Sequence, residues 1–118
     1  MASDPSRGPA ARRPDEVPPP PTHVARFAVP PDHPALPGHF PGHPVVPGVV
    51  LLDRVAEAAR MAFGLGPLRG LPRTKFAAPV LPGQDVRVVL TLLAPGRVGF
   101  ACEADGRPAA AGDMAFTA

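Results

Sequence analysis

Residues 49–63, VVLLDRVAEAARMAF, are apolar around most of a helical circumference. At about 100° per residue, Asp53, Glu57 and Arg60 fall on one narrow side, and Arg54 lies about a quarter turn away. Pro47 suits the first turn of a helix, because the missing N–H costs nothing there, and Gly64 suits its end. A helix this apolar needs other structure around most of its surface. The sequence therefore predicts one long, central helix.

The residues that follow alternate between apolar and polar with a period of two, which is typical of half-buried strands. Pro95-Gly96 and Asp105-Gly106 mark tight turns between such segments. We predict strands at 23–29, 73–80, about 86–92, 97–104, and from the second turn to about Phe116. The order of strand, long loop, helix and four strands predicts an α+β fold in which a curved antiparallel sheet wraps the helix.

The first 22 residues differ in composition from the remainder. They contain many prolines, including the run at 18–21, and almost no large apolar side chain. Such a segment buries too little surface to offset its ordering entropy. We therefore predict a disordered tail at 1–22 and a single domain at 23–118.

Charge and cysteine content exclude several classes of protein. A formal net charge of +2, with scattered arginines, is too weak for a nucleic-acid-binding surface. The single cysteine, Cys102, excludes an intramolecular disulfide framework and fits a reducing compartment. The sequence shows neither a signal peptide nor a transmembrane segment, so we expect a cytoplasmic location. A chain of 118 residues buries a small share of its surface, which favours oligomerisation.

The loop and first helical turn, residues 36–53, read LPGHFPGHPVVPGVVLLD. This stretch resembles the signature of the 3-hydroxyacyl-acyl-carrier-protein dehydratases, His-Phe-x-Gly-x-Pro-x-x-Pro-Gly followed five positions later by an acidic residue. The matching positions are His39, Phe40, Gly42, Pro44, Pro47, Gly48 and Asp53. Agreement at so many fixed positions without a gap is a specific signal.

The resemblance continues in residues 74–83, TKFAAPVLPG, and covers the chain from about Val24 to Phe116. It implies the hot-dog fold, in agreement with the helix and strands predicted above. The acidic position holds aspartate, as in the branch of the family that also isomerises the double bond, whereas the ordinary branch has glutamate. The short chain looks closest to compact relatives such as those of aryl polyene pigment synthesis.

The resemblance implies a hydro-lyase that dehydrates (3R)-hydroxyacyl groups on acyl carrier protein to trans-2-enoyl groups, in fatty-acid or polyene-type biosynthesis. His39 is our candidate for the base that removes a proton from C2, because histidine titrates near neutrality. Asp53 then either orients the leaving hydroxyl or protonates it, and the sequence leaves both roles open. The amide of Gly48, at the start of the helix, is placed to hold the thioester carbonyl oxygen.

The resemblance also implies how the site is held and how subunits share it. In the family, the backbone carbonyl at the position of Val45 accepts a hydrogen bond from the catalytic histidine. Family members form dimers in which the histidine and the acid come from different subunits. We therefore expect a homodimer, or a heterodimer with a second hot-dog protein. No cofactor is expected, because phosphopantetheine arrives on the carrier protein. Arg69, Arg73 and Lys75 are candidate contacts for that acidic partner.

Two other functions remain as alternatives. One is a non-catalytic hot-dog subunit that stabilises a related dehydratase, although His39 and the acid are both present. The other is a hot-dog acyl thioesterase, which uses the same fold but does not carry this loop.

Individual residues also have simpler interpretations. Asp53 could belong to a solvated polar stripe with Glu57 and Arg60, but its position in the motif favours a catalytic role. His33, His39 and His43 match no standard zinc-ligand spacing, so we predict no metal site. His33 is expected to hold the loop, and Cys102 to be an inert core residue.

Overall fold

Six elements of secondary structure succeed one another in the described part of the chain, residues 18–33 and 45–118 of a computed structural model. They are β1 (Thr22–Phe27), α1 (Gly48–Phe63), β2 (Leu68–Phe76), β3 (Val86–Ala94), β4 (Arg97–Ala104) and β5 (Arg107–Phe116). The order matches the prediction of one strand, a helix and four strands. The tail predicted at 1–22 lies mostly outside the described residues and stays a prediction.

The strands form one antiparallel sheet in the order β1-β3-β4-β5-β2. β3, β4 and β5 are joined by short turns at Pro95-Gly96 and Asp105-Gly106, as the sequence predicts. At the β4–β5 turn, Asp105 and Gly106 both adopt positive φ, which is the backbone conformation of a tight hairpin. β2 pairs with the last strand, β5, at the far edge of the sheet. Along the chain, α1 therefore connects β1 and β2, the two edge strands.

The hydrophobic core lies between the helix and one face of the sheet. Alternate residues of the three central strands point into it, as the period of two requires. From the helix, Leu51, Val55, Ala56 and Ala59 are buried against them. The sheet contributes Val86, Val88, Leu90, Val98, Phe100, Cys102, Ala104, Ala110, Met114 and Phe116. This arrangement confirms the predicted α+β fold with a central helix.

Helix α1 has 16 residues and begins one residue earlier than the apolar pattern indicates, at Gly48, with Pro47 as its N-cap. It ends at Gly64, where the backbone turns left-handed with φ 64° and its N–H donates to the Arg60 carbonyl. Glycine tolerates that conformation without steric cost, which explains the stop. Within the described ranges, no helix is both long and apolar enough to cross a membrane.

Strand β2 differs from its prediction. It was expected at 73–80 but runs over Leu68–Phe76, with register shifts against β5 between Leu68 and Arg73. Gly70 and Pro72 weaken the strand signal in the sequence. At a sheet edge both residues are accommodated, because bulges and a missing N–H are tolerated there.

Within residues 18–33 and 45–118, the helix is covered on one side only. The sequence predicts contacts around most of its circumference, yet Val49 is 74% exposed and Met61 is 80% exposed in the single chain. On neighbouring β2, Leu68 and Leu71 are also exposed. The open side of α1, defined here by Val49, Asp53, Glu57, Arg60 and Met61, therefore combines apolar and charged side chains.

Candidate functional site

The first turn of α1 leaves backbone donors without acceptors. Pro47 is extended, with φ −58° and ψ 143°, and its carbonyl accepts the N–H groups of Val50 and Leu51 at 3.0 and 3.1 Å. The N–H groups of Gly48 and Val49 precede the first intrahelical bond, as at every helix start. No acidic side chain lies in this turn, and the N-cap residue, Pro47, makes no side-chain capping hydrogen bond. The positive end of the helix dipole is thus available to an electron-rich oxygen.

An open cleft of about 470 Å³ borders this turn. It is lined by residues 45–48, Leu51, Phe76 and residues 78–80, which are mostly apolar. Two backbone hydrogen bonds fix its walls: Val46 N–H donates to the Val80 carbonyl at 2.7 Å, and Ala77 N–H donates to the Ala109 carbonyl at 2.8 Å. An apolar cleft of this size with a few polar backbone groups is typical of small-molecule sites.

Gly48 and Val45, two of the predicted site residues, both line this cleft. Val45 is half-buried and immediately precedes the hydrogen-bonded Val46. Its predicted hydrogen bond from His39 involves a partner outside the described residues. Both residues lie at the N-terminal end of α1, and their roles stay predictions.

Asp53 lies elsewhere, on the open side of α1. Its side chain is exposed and borders a separate hollow of about 350 Å³, between the helix and residues 67–68. Glu57, Arg60 and Met61 line the same hollow. Around the helix axis, Asp53 is rotated by about 140° from Gly48, since five residues separate them. The described part of one chain therefore does not bring Asp53 and the Gly48 amide into one cleft.

The predicted base, His39, lies outside the described residues, as does His43. Its role and its distance to Asp53 stay predictions. His33 is described and is half-buried next to the turn at 31–32, where its N–H donates to the Pro30 carbonyl at 3.1 Å. Because that bond involves only the backbone, the expected part of the His33 side chain in holding the loop stays a prediction.

Cys102 is buried in the core, at 2% exposure. Burial raises the pKa of the Cys102 thiol from 9.0 to about 12, because the thiolate would lose its hydration. The thiol therefore stays protonated at neutral pH, and a protonated thiol is a poor nucleophile. This finding agrees with the prediction of an inert core residue.

One cleft residue was not identified from the sequence. Phe76, at the end of β2, places its ring tip against Gly48: a β-carbon built on Gly48 would lie 2.9 Å from the Phe76 Cζ. The sequence shows an aromatic residue in a strand, but the contact joins two elements far apart in the chain. The pairing of β2 with β5 and the hydrogen bond from Val46 to Val80 hold the two elements together.

A helix lying on an antiparallel sheet, with a cleft at the helix N-terminus, defines the class of hot-dog proteins. Solved structures agree. One chain of the dehydratase heterocomplex ApeI:P from Xenorhabdus doucetiae superposes with a TM-score of 0.71 at 23% identity, over 82% of this chain and 88% of that one. The fluoroacetyl-CoA thioesterase FlK matches at 0.58 and 19% identity, over 87% and 88% of the two chains. At these identities, the likeness shows the fold alone.

The family is narrower than the fold. The family model described as ApeI dehydratase, of the ApeI-like family, matches residues 16–113. An uncharacterised protein from Erwinia carotovora subsp. atroseptica is 30% identical, with a TM-score of 0.71 over 81% of this chain and 82% of that one. No curated protein matches at a significant level. The chain belongs to the ApeI-like dehydratase family, which confirms the resemblance found in its motif.

Proposed function

We propose that the protein dehydrates 3-hydroxyacyl groups carried as thioesters on acyl carrier protein, giving trans-2-enoyl groups. Membership of a dehydratase family supports the reaction class. The observation that carries the proposal furthest is the apolar cleft at the first turn of α1, where the Gly48 amide has no acceptor within the helix. A thioester carbonyl gains negative charge during proton removal from C2, and such a donor stabilises that charge.

The reaction needs one base, one acid and one oxyanion donor. His39 removes the proton from C2, and the electrons of that C–H bond form the C2–C3 double bond as the 3-hydroxyl leaves. The hydroxyl takes a proton from the His39 imidazolium or from Asp53 and departs as water. The Val45 carbonyl holds the imidazole ring, and the Gly48 amide holds the carbonyl oxygen. The protein needs no cofactor of its own, because phosphopantetheine is part of the substrate.

The site is shared between two hot-dog subunits in this proposal. Asp53 and Gly48 border different hollows in one chain, so a complete site needs an acid from elsewhere. The open side of α1 carries exposed Val49 and Met61 beside Asp53, as expected of a surface that a second subunit covers. Because ApeI:P is a heterocomplex, both a homodimer and a pair with a related hot-dog chain fit this proposal.

The carrier protein belongs to the same proposal. Arg69, Arg73 and Lys75 are exposed on β2, at the edge next to the open side of α1. Arg73 also forms a salt bridge with Asp113, with 3.6 Å between its guanidinium nitrogen and the carboxylate oxygen. Exposed cations near the cleft would attract an acidic carrier and speed its encounter. A cytoplasmic location fits this partner and the reduced Cys102.

Hydration of a trans-2-enoyl thioester, the reverse reaction, tests the proposal. We expect the purified protein to convert trans-2-hexenoyl-N-acetylcysteamine to the 3-hydroxyacyl thioester. His39→Ala and Asp53→Asn should each lower kcat by about 10²- to 10⁴-fold, the usual contribution of an acid or base. Glu103→Gln is the control, since this partly exposed carboxylate on β4 lines neither hollow and should keep its activity.

The products separate the alternatives. The FlK thioesterase shares the fold, and release of free hexenoic acid would support that function instead. The heterocomplex neighbour favours the second candidate, a partner subunit without catalysis of its own. Absence of turnover by this chain, together with activation of a related dehydratase on mixing, would support that candidate. Full activity of His39→Ala would contradict the proposed mechanism.

A further inference from the structure

Phe76 is an exposed aromatic residue in contact with the proposed thioester site. It is the last residue of β2 and pairs with Ala110 of β5. Three atoms of its ring lie 2.9 to 3.5 Å from a β-carbon built on Gly48, so the ring tip rests against the Gly48 α-carbon. The side chain nevertheless keeps 52% of its surface exposed. The rest of the ring is therefore available to another molecule.

The ring forms one wall of the cleft beside Gly48. Backbone hydrogen bonds from Ala77 and Ala78 to the Ala109 carbonyl, at 2.8 and 3.3 Å, fix the chain directly after it. An acyl group whose carbonyl oxygen reaches the Gly48 amide must place C2 and C3 within a few ångströms of that amide. The Phe76 ring, which touches the same glycine, then lies beside those two carbons.

We propose that Phe76 is a specificity-determining residue that selects acyl groups unsubstituted at C2. This inference rests on the proposed function. In this proposal the edge of the ring borders the plane of the enoyl unit on the C2 side. A methyl branch on C2 lies in that plane and therefore meets the ring. One methyl group in a tight apolar site changes discrimination by about 10- to 200-fold.

The test compares two probes, trans-2-hexenoyl-N-acetylcysteamine and its 2-methyl analogue. We expect the wild-type protein to prefer the linear probe by at least about tenfold in kcat/KM. In Phe76→Ala, most of this preference should be lost. Phe76→Leu should give an intermediate ratio. The preference should fall because KM rises for the linear probe and decreases for the branched probe. Leu93→Ala, at an exposed residue on the outer face of the sheet, is the control and should keep the ratio.

A second variant pair examines the contact itself. Gly48→Ala places a methyl group against the ring and should lower kcat/KM. The same substitution in the Phe76→Ala background should cost several-fold less, because the ring is gone. Equal costs in the two backgrounds would show that the ring does not confine this glycine.

Binding measurements keep this inference separate from the reaction. Dissociation constants of both probes are measured by calorimetry for the wild type and Phe76→Ala. Absence of turnover with preserved preference for the linear probe would overturn the proposed function alone. An unchanged linear-to-branched ratio in Phe76→Ala, in turnover and in binding, would overturn the role of Phe76.

Discussion

The two sides of helix α1 differ in how much of their surface a single chain buries. On the sheet side, Leu51, Val55 and Ala59 are buried at 2% exposure or less. On the open side, Met61 and Val49 are mostly exposed, and charged Asp53 and Glu57 lie between them. One chain is enough to bury the first side. The second combines an exposed apolar surface with an exposed carboxylate, as expected of the subunit interface proposed above.

The difference between the two sides leaves a single chain incomplete for the proposed reaction. The Gly48 amide belongs to the sheet side, where it meets Phe76, and Asp53 belongs to the open side. Folding of one chain fixes the proposed oxyanion donor but leaves the proposed acid facing outwards. In our account, association of two subunits brings the two groups together, so stability and activity depend on different sides of the same helix.

The largest effect is expected from the sheet side. Leu51→Ala removes a buried side chain and should lower the free energy of unfolding by about 2–5 kcal/mol. Leu93→Ala is the same chemical change at a residue that is 51% exposed on the outer face of the sheet. It should change stability by about 0.5 kcal/mol or less. Denaturant unfolding at one protein concentration measures both, and equal losses would contradict the assignment of the core.

A smaller effect is expected on the open side, in association rather than folding. Met61→Asp places a charge on the proposed interface and should weaken the dimer by about 10- to 100-fold. Leu93→Asp adds the same charge to the outer face and should leave the dimer intact. Sedimentation equilibrium gives the dissociation constants. Dimers of equal strength in the two variants would place the subunit contact elsewhere.

The smallest effect concerns Arg54, which lies between the two sides of the helix. Its guanidinium carbon is 4.8 Å from the centre of the Phe27 ring, a cation–π distance that ties α1 to β1. Arg54→Met keeps the length of the side chain but loses the charge, and should cost about 0.5–1 kcal/mol of stability. Arg54→Lys should recover part of the loss. Thermal unfolding of the three proteins tests this, and wild-type stability of Arg54→Met would show that the contact contributes nothing.

Local patterns in the sequence were enough to predict most of the fold. The apolar run at 49–63 identified the helix to within one residue of each end, and the period of two identified the three central strands. The pattern failed at β2, where Gly70 and Pro72 interrupt the alternation and only pairing with β5 keeps the segment extended. Local propensity does not contain that long-range pairing.

The candidate site was predictable where a motif names residues and unpredictable where geometry depends on distant contacts. The motif indicates Gly48 and Asp53, but not that they face different hollows of one chain. That separation follows from the helical angle between them, together with which side the sheet covers. Phe76 was not predicted for a related reason. A contact between a glycine and an aromatic residue on separate elements leaves no pattern in the sequence.

The central claim, that two subunits share one site, is tested most directly by complementation. His39→Ala and Asp53→Asn chains with different tags are co-expressed, and the mixed dimer is purified. In a shared site, one of its two sites combines both lesions and the other is intact. We therefore expect about half of the wild-type activity per dimer, against about 1% or less for each variant alone. Mixed dimers as inactive as the single variants would contradict the claim, because each site would then draw both groups from one chain.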